Sequence, residues 1–245
     1  MDGYDSATYG DRIADLYDHW YDWPERTAAT VEVLHSLAGD GPVLELAVGT
    51  GRVALPLART GLRVVGVDTS PNMVEQLRAK PGGDAVEVVL GDMRDVPVDG
   101  PFSLAFVAFN SLFALTSQED QLTCFANVAA RLAPGGCFVL ECFVPDLTLY
   151  DRGQRTSVVR LETDEVMLDV ARLSVDEQRV DAQHVLLTNA GVRLVPVSLR
   201  YCWPSELDLM ARLAGLRLRE RWAGWDRGPF TASSTTHVSV YEKPA

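Results

Sequence analysis

From about residue 40 the chain alternates short apolar runs, rich in β-branched residues, with amphipathic stretches of helical period. The apolar runs predict five strands, at 42–46, 62–68, 86–90, 102–109 and 137–143. The stretches between them predict helices at 52–60, 70–80 and 118–132. Ser70 suits the N-cap of the second helix and Pro71 its first turn, where a missing N–H costs nothing. This alternation is typical of a doubly wound α/β sheet.

After the fifth strand the period changes from helical to two. Residues 157–203 predict an antiparallel meander of four strands, with loops at 163–164, 175–178 and 189–191. A helix from Pro204 to Gly215 and strands at 217–225 and 237–241 follow. Because no helix separates the last two strands, they predict an antiparallel pair at the sheet edge. The expected fold is therefore an α/β protein with one seven-stranded sheet and an inserted antiparallel meander.

Near the start, the stretch "LYDHWYDWP" holds four aromatic rings in nine residues. The apolar positions of this region share one side of a helix: Ile13, Leu16, Tyr17, Trp20 and Tyr21. Pro24 sets the end of that helix. By spacing alone, the stretch predicts a helix that packs into the core.

Composition narrows the class of partner. The formal net charge of -12 and the lack of a Lys/Arg cluster argue against nucleic-acid binding. The four cysteines are scattered without CxxC spacing, which predicts reduced core thiols and no metal site. No apolar run is long enough for a membrane helix, and we expect a cytoplasmic location. A small-molecule partner is expected, for a monomer or a homodimer.

The strongest local motif is "VLELAVGTGRVALPLA", a strand, a glycine loop and a helix. Gly49 and Gly51 allow a sharp turn and a close approach to a ligand, at which the helix N–H groups point. With Ala54 the motif is GxGxxA, a weak dinucleotide fingerprint, and Asp68 ends the next strand where a ribose-binding acid belongs. Two nucleotide classes therefore compete for this loop.

Three features of the sequence argue against a dinucleotide as the ligand of this loop. Glu45 would repel a pyrophosphate but attract an α-amino group. Asp92 can accept a hydrogen bond from an exocyclic amine, and Met93 offers an apolar side chain and a backbone N–H to an adenine. Finally, the sheet ends in an antiparallel pair rather than in a second mononucleotide half.

These residues resemble class I S-adenosylmethionine-dependent methyltransferases, over the frame Val43–Phe143 and again over Pro204–Tyr241. The resemblance implies a Rossmann-like methyltransferase sheet whose loop, Glu45 to Gly51, cradles the methionine end of S-adenosyl-L-methionine. It also implies that Asp68 binds the ribose, and Asp92 with Met93 the adenine. The chain departs from the family at Ala47, where a glycine is usual; we expect a slightly narrower loop that still binds. The expected donor-binding residues are Tyr9, Tyr17, Glu45, Ala47, Gly49, Gly51, Arg52, Asp68, Thr69, Met73, Asp92, Met93, Arg94, Phe109, Asn110 and Ser111.

The aromatic opening and the inserted meander resemble bacterial small-molecule N- and O-methyltransferases of secondary metabolism, including amino-sugar N,N-dimethyltransferases. The resemblance implies three parts: a helical lid over residues 1–38, a donor-binding core over 39–148 and 204–245, and an inserted sheet over 149–203 that covers the acceptor site. Several relatives carry a histidine in the acceptor pocket where this chain has Ala114. That position therefore offers no base.

Methyl transfer is an in-line displacement. Alignment of the two reactants lowers its barrier by roughly 7–11 kcal/mol, whereas a general base raises the rate by only about 10²- to 10⁴-fold. His184, on the inserted sheet, is the first candidate base; the alternative is a half-exposed strand histidine. Because Gln183 faces the opposite way, at most one of the two points inward. Tyr21 is the second catalytic candidate. The candidate acceptor-binding residues are His19, Trp20, Arg152, Arg200 and Trp203.

Several of these side chains also have a purely structural interpretation. Arg52 could reach the methionine carboxylate or lie solvated in the first turn of its helix. Trp20 suits packing as well as acceptor contact, whereas Tyr9, Tyr17 and Tyr21 carry hydroxyls that can reach a ligand. A nicotinamide oxidoreductase and a non-catalytic S-adenosylmethionine-binding module remain as alternatives to the methyltransferase.

Overall fold

Eleven strands form two sheets in the computed structural model, which describes all residues from Met1 to Ala245. In chain order the strands are β1 (Val43–Leu46), β2 (Val64–Asp68), β3 (Val86–Leu90), β4 (Phe102–Val107), β5 (Leu132–Phe143), β6 (Gln154–Leu161), β7 (Glu165–Ser174), β8 (Arg179–Thr188), β9 (Gly191–Arg200), β10 (Arg217–Trp222) and β11 (Thr236–Glu242). The helices are α1 (Thr8–Trp20), α2 (Pro24–Ala38), α3 (Ala54–Ala58), α4 (Pro71–Ala79), α5 (Gln118–Arg131) and α6 (Pro204–Leu213). None of these helices has the length and apolar character needed to cross a membrane.

The larger sheet has seven strands in the order β10-β11-β5-β4-β1-β2-β3. Only β11 runs against its neighbours, β5 and β10. The central strands β1 and β2 are buried along their whole length, because helices cover both faces of the sheet. The chain leaves β1 for β2 on one side and returns to β4 on the other, so a crevice opens at the carboxyl ends of β1 and β4.

The smaller sheet is the predicted meander, in the order β6-β7-β8-β9. Its register places Asp169 opposite His184, and His184 opposite Val195. Helix α1 packs on one end of the inner face, where Ile13 and Trp20 contact the buried side chains of Met167, Leu186 and Val195. The other end of that face is left free to cover the crevice.

Polar contacts fasten α1 to its surroundings. The Ser70 hydroxyl donates to Asp11 over 2.5 Å, and the Thr50 hydroxyl donates to Asp18 over 2.7 Å. Lys80 pairs with Asp18 at 2.5 Å, and Arg193 pairs with Asp15 at 2.6 Å. These ion pairs are partly exposed, whereas the apolar contacts of α1 lie on its opposite side.

Element boundaries differ from the predictions most at the start of β5. Strand β5 begins at Leu132 rather than at residue 137, because the chain pairs through the Pro134-Gly135-Gly136 turn instead of stopping there. Gly135 takes a φ of +77° and donates to the Lys243 carbonyl, and Lys243 donates back to Gly136. The C-terminal residues thus supply hydrogen bonds that the local sequence does not reveal. Helix α3 is shorter than expected, covering 54–58 rather than 52–60.

Candidate active site

A cavity of about 640 Å³ lies between the carboxyl ends of the central strands and the inner face of the smaller sheet. This volume is within the range typical of small-molecule sites. We call the side formed by the larger sheet the floor, and the side formed by β6–β9 the roof. Thirteen of the predicted residues line the cavity: Tyr9, Tyr17, Tyr21, Ala47, Gly49, Asp68, Thr69, Met73, Met93, Phe109, Asn110, Ser111 and His184.

The glycine loop is held by the carboxylate at the end of β2. Asp68 Oδ2 accepts from the Gly49 N–H over 2.7 Å, and Oδ1 accepts from the Ser70 N–H over 2.8 Å. Burial raises the pKa of Asp68 above its ordinary value, although these backbone hydrogen bonds oppose the rise. Ala47 takes a φ of +56°, a left-handed conformation for which glycine would be unstrained. Gly51 does not line the cavity: an added Cβ there would lie 2.9 Å from Leu55 and Leu77.

Glu45 and Arg52 lie behind the loop rather than in the cavity wall. Glu45 is buried and its Oε2 has no hydrogen-bond partner. Burial raises the pKa of Glu45 well above its ordinary value, and the nearby Arg52 opposes this. The Arg52 guanidinium lies 5.9 Å from the centre of the Trp23 ring and 5.7 Å from that of Phe109. Arg52 is held by these aromatic faces and does not line the cavity.

The residues of the acidic turn after β3 lie partly in the cavity wall and partly at the surface. Met93 lines the cavity, while Asp92 next to it accepts from the Arg94 N–H over 2.8 Å. Arg94, also predicted to bind the donor, turns its side chain away from the cavity. Its guanidinium pairs with Asp95 at 3.0 Å and with Asp120 at 3.3 Å, outside the cavity lining.

Aromatic side chains form the wall between the N-terminal segment and the floor. The ring centres of Tyr21 and Trp23 lie 4.9 and 5.1 Å from that of Phe109. Phe109 and Asn110 have φ values of +53° and +66°, and Glu141 stabilises this strained pair by accepting from the Phe109 N–H over 2.8 Å. Glu141 also pairs with Arg26 of α2, which ties the N-terminal segment to the floor.

Tyr9 and Tyr17 present neutral hydroxyls at this wall. Burial raises the pKa of both, that of Tyr17 to about 12, so both remain protonated near neutral pH. The hydroxyls of Tyr9 and Tyr21 lie 3.3 Å apart. The opening stretch is therefore both a packing helix and a source of hydroxyl groups at the cavity.

The roof carries a cluster of ionisable side chains on neighbouring strands. His184 Nδ1 lies 3.3 Å from Asp169 Oδ1, and the other oxygen of Asp169 pairs with Arg155. Burial acts to raise the pKa of Asp169, but the neighbouring His184 and Arg155 together hold it below its ordinary value. With this lowered pKa, Asp169 is an ionised carboxylate that can orient the imidazole. All three side chains line the cavity.

None of the five predicted acceptor-binding residues lines the cavity. Trp20 is buried in the cluster between α1 and the roof, and His19 lies at the surface, 3.3 Å from Arg160. Arg152 is exposed in the turn before β6. Arg200 is buried but pairs with Glu206 at 2.8 Å, and Trp203 is exposed at the start of α6. The structure therefore does not bring these five residues to the cavity, and for Trp20 and Arg200 partners from other elements hold the side chain elsewhere.

The roof residue that sequence reasoning missed is Asp169. On β7 it shares the inner face with Met167, Ala171 and Leu173, since residues two apart point the same way. An acid among apolar residues at period two was the available signal. Arg155 lies on β6 and also faces the cavity.

A family model described as a methyltransferase domain matches residues 43–136, the part that holds the glycine loop and the acidic turn. The cypemycin N-terminal methyltransferase of a Streptomyces species is 30% identical over 203 residues, which is 82% of each chain. The solved structure of the CcbJ methyltransferase from Streptomyces caelestis is 42% identical, with a TM-score of 0.89 over 99% of this chain and 100% of that one.

A more distant structure shares the fold. CalS10 from Micromonospora echinaspora, an amino pentose methyltransferase solved with bound S-adenosylmethionine, is 22% identical with a TM-score of 0.68, over 93% of this chain and 96% of that one. Nothing in these comparisons supports an oxidoreductase or a non-catalytic module. From its sequence, its fold and this site, the chain belongs to the S-adenosylmethionine-dependent methyltransferases.

Proposed function

We propose that this enzyme transfers the methyl group of S-adenosylmethionine to an amine nitrogen of a small molecule in cytoplasmic secondary metabolism. The observation that carries the proposal is the Asp169–His184 pair in the roof of the cavity whose floor is the glycine loop. An imidazole held by a carboxylate is a base suited to an acceptor that must lose a proton. The names of the cypemycin and CalS10 relatives, an N-terminal and an amino pentose methyltransferase, agree with an amine acceptor.

The floor suits the donor. Asp68 and Met93 both line the cavity, and in this proposal Asp68 binds the ribose and Met93 the adenine. The partnerless Oε2 of buried Glu45, directly behind the loop, favours a cationic group such as the α-amino group of the donor, bound directly or through water. Bound there, S-adenosylmethionine supplies an activated methyl group on a sulfonium.

The roof residues act on the acceptor. Asp169 Oδ1 lies 3.3 Å from His184 Nδ1, and in this proposal it orients the tautomer with its proton on Nδ1 and Nε2 free to act as the base. As the new N–C bond forms and the S–C bond breaks, the acceptor nitrogen gives its proton to Nε2. The aromatic wall and the hydroxyls of Tyr17 and Tyr21 exclude water and align the reactants. In this proposal residues 1–38 are the lid, 149–203 the acceptor cover, and 39–148 with 204–245 the donor-binding core.

The test is methylation of a panel of amines and of matched alcohols, phenols and carboxylic acids, followed by mass spectrometry. We expect product only from amines. We expect His184→Asn to lower kcat by about 10²- to 10⁴-fold with little change in donor affinity. His19→Asn is the matched control, because His19 lies outside the cavity. Methylation of hydroxyl acceptors but not of amines, or full activity in His184→Asn, would contradict the proposal.

A further inference from the structure

The charges that line the cavity are unbalanced. Arg155 is the one arginine or lysine in the lining, and it already pairs with Asp169. Asp68 and Asp146 line the cavity as well, without a cationic partner among the ion pairs of the protein. A ligand entering this cavity therefore meets carboxylates and no unpaired cation.

The other arginines of β6–β9 cannot correct this balance, and exposed Arg152 lies outside the cavity lining. Each of the strand arginines is engaged by an acid outside the cavity lining: Arg160 by Glu165, Arg172 and Arg179 by Asp181, Arg193 by Asp15, and Arg200 by Glu206. A phosphate or carboxylate on the acceptor would lose its hydration shell without gaining a cationic partner. It would also be repelled by the carboxylates of Asp169 and Asp146. The cavity thus disfavours an anionic acceptor body.

The remaining surface of the acceptor side is mostly apolar. It consists of aliphatic side chains from the segment before β6 and from the inner face of the roof: Leu147, Leu149, Leu173, Val180, Val197 and Leu199. Within it, Arg155 Nε is buried and has no hydrogen-bond partner. Because the charge of Arg155 is already balanced by Asp169, a neutral oxygen suits this N–H better than an anion does.

We propose that the acceptor is an amine whose body carries no phosphate or carboxylate, is largely apolar, and presents a neutral hydroxyl or carbonyl oxygen to Arg155 Nε. The proposal rests on the proposed function, since it places the amine beside His184. It names a specificity residue, Arg155, and it excludes nucleotide-linked sugar amines and free amino acids as preferred substrates.

The experiment uses two matched pairs of probes: leucinamide against leucine, and the methyl glycoside of an amino sugar against its nucleoside diphosphate form. Binding is measured by calorimetry on the full chain saturated with S-adenosylhomocysteine, and turnover is measured separately. We expect each neutral member to bind at least tenfold more tightly than its anionic partner. Equal or tighter binding of the anionic members, or no measurable binding of either neutral member, would overturn the inference.

Variants separate the charge from the shape of the site. In Asp169→Asn the guanidinium of Arg155 loses its counter-ion, so the preference for leucinamide over leucine should shrink or reverse. Arg155→Met keeps most of the side-chain volume but removes the N–H groups, and should weaken leucinamide binding. Arg160→Met, outside the cavity lining, is the control. An unchanged preference in a folded Asp169→Asn would count against the charge argument.

The two proposals fail in different ways. If the neutral amines bind preferentially but only hydroxyl acceptors are methylated, the proposed amine chemistry is wrong while the charge selection stands. If amines are methylated but the anionic members are preferred, the chemistry stands and the charge selection is wrong.

Discussion

Ala47 stands where the family usually has glycine, and its backbone shows the consequence. A left-handed φ of +56° costs a residue with a side chain about 1–2 kcal/mol, whereas glycine loses only about 0.5–1 kcal/mol more than alanine in conformational entropy on folding. We therefore expect Ala47→Gly to raise the free energy of unfolding by roughly 0.5–1 kcal/mol. Urea denaturation measures this.

A second substitution controls for the backbone argument. Ala47→Val should lower stability, because β-branched residues are rarely found at positive φ. A less stable Ala47→Gly would show that the packing of the alanine methyl group outweighs the strain.

Asp68 and Asp92 are expected to bind the donor, but only Asp68 also holds the loop. Asp92→Ala should weaken S-adenosylhomocysteine binding by roughly 5- to 150-fold, the equivalent of about 1–3 kcal/mol, and should lower the melting temperature less than Asp68→Ala does, because only the Arg94 N–H loses its acceptor. Asp68→Ala should weaken binding and lower the melting temperature, because the N–H groups of Gly49 and Ser70 lose their acceptor. Calorimetry and thermal melting measure the two effects, with exposed Asp84→Ala as the control. Unchanged affinity in both variants would refute the assignment.

At the scale of elements, β11 carries a histidine that titrates below its usual range. His237 is fully buried, and burial, with a smaller effect of the nearby Arg221, lowers its pKa to about 4. Between pH 4 and pH 6.5 the unfolded chain therefore binds more protons at this residue than the folded chain does. Stability is complete above pH 6.5 and falls toward pH 4, by up to about 3 kcal/mol.

We expect His237→Gln to flatten this part of the pH dependence of unfolding, measured in urea from pH 4 to pH 7. His35→Gln, at an exposed position of α2, should leave the slope as it is in the unaltered chain. A slope that stays unchanged in His237→Gln would assign the acid sensitivity to other groups.

The elements themselves were largely predictable, because each depends on a local period. The change from period 3.6 to period two located the meander, and Ser70 with Pro71 marked the start of α4, where the Ser70 hydroxyl accepts from Met73 N–H. The start of β5 was not predictable, since its pairing through Gly135 depends on Lys243, more than a hundred residues away. The local sequence pattern therefore predicts whether a segment is a helix or a strand better than it predicts the first and last residues of that element.

At the scale of the whole molecule, the floor was more predictable than the roof. The loop residues and Asp68 come from adjacent segments of one βαβ unit, so their meeting follows from the motif. Asp169, His184 and Arg155 meet only through the register of three strands. Arg200 looked available in sequence, but Glu206 of α6 and Gln121 of α5 bind it in the fold.

The attachment of α1 has a kinetic consequence. Tyr9 and Tyr17 of α1 line the same cavity as the floor residues, so we expect a ligand bound on the floor to leave when α1 lifts. The ion pairs that fasten this helix, Lys80–Asp18 and Arg193–Asp15, are partly exposed and are screened as the Debye length falls from about 10 Å at 0.1 M salt to about 3 Å at 1 M. We expect the dissociation rate of S-adenosylhomocysteine, followed by stopped-flow fluorescence, to rise with ionic strength.

The double variant Asp15→Asn, Asp18→Asn should dissociate faster at low salt and lose most of that salt dependence. A rate independent of salt in the unaltered chain would mean that α1 does not have to move. If the rate does follow ionic strength, turnover in the cell depends on ionic conditions as well as on chemistry, because the spent donor must leave before the next cycle begins.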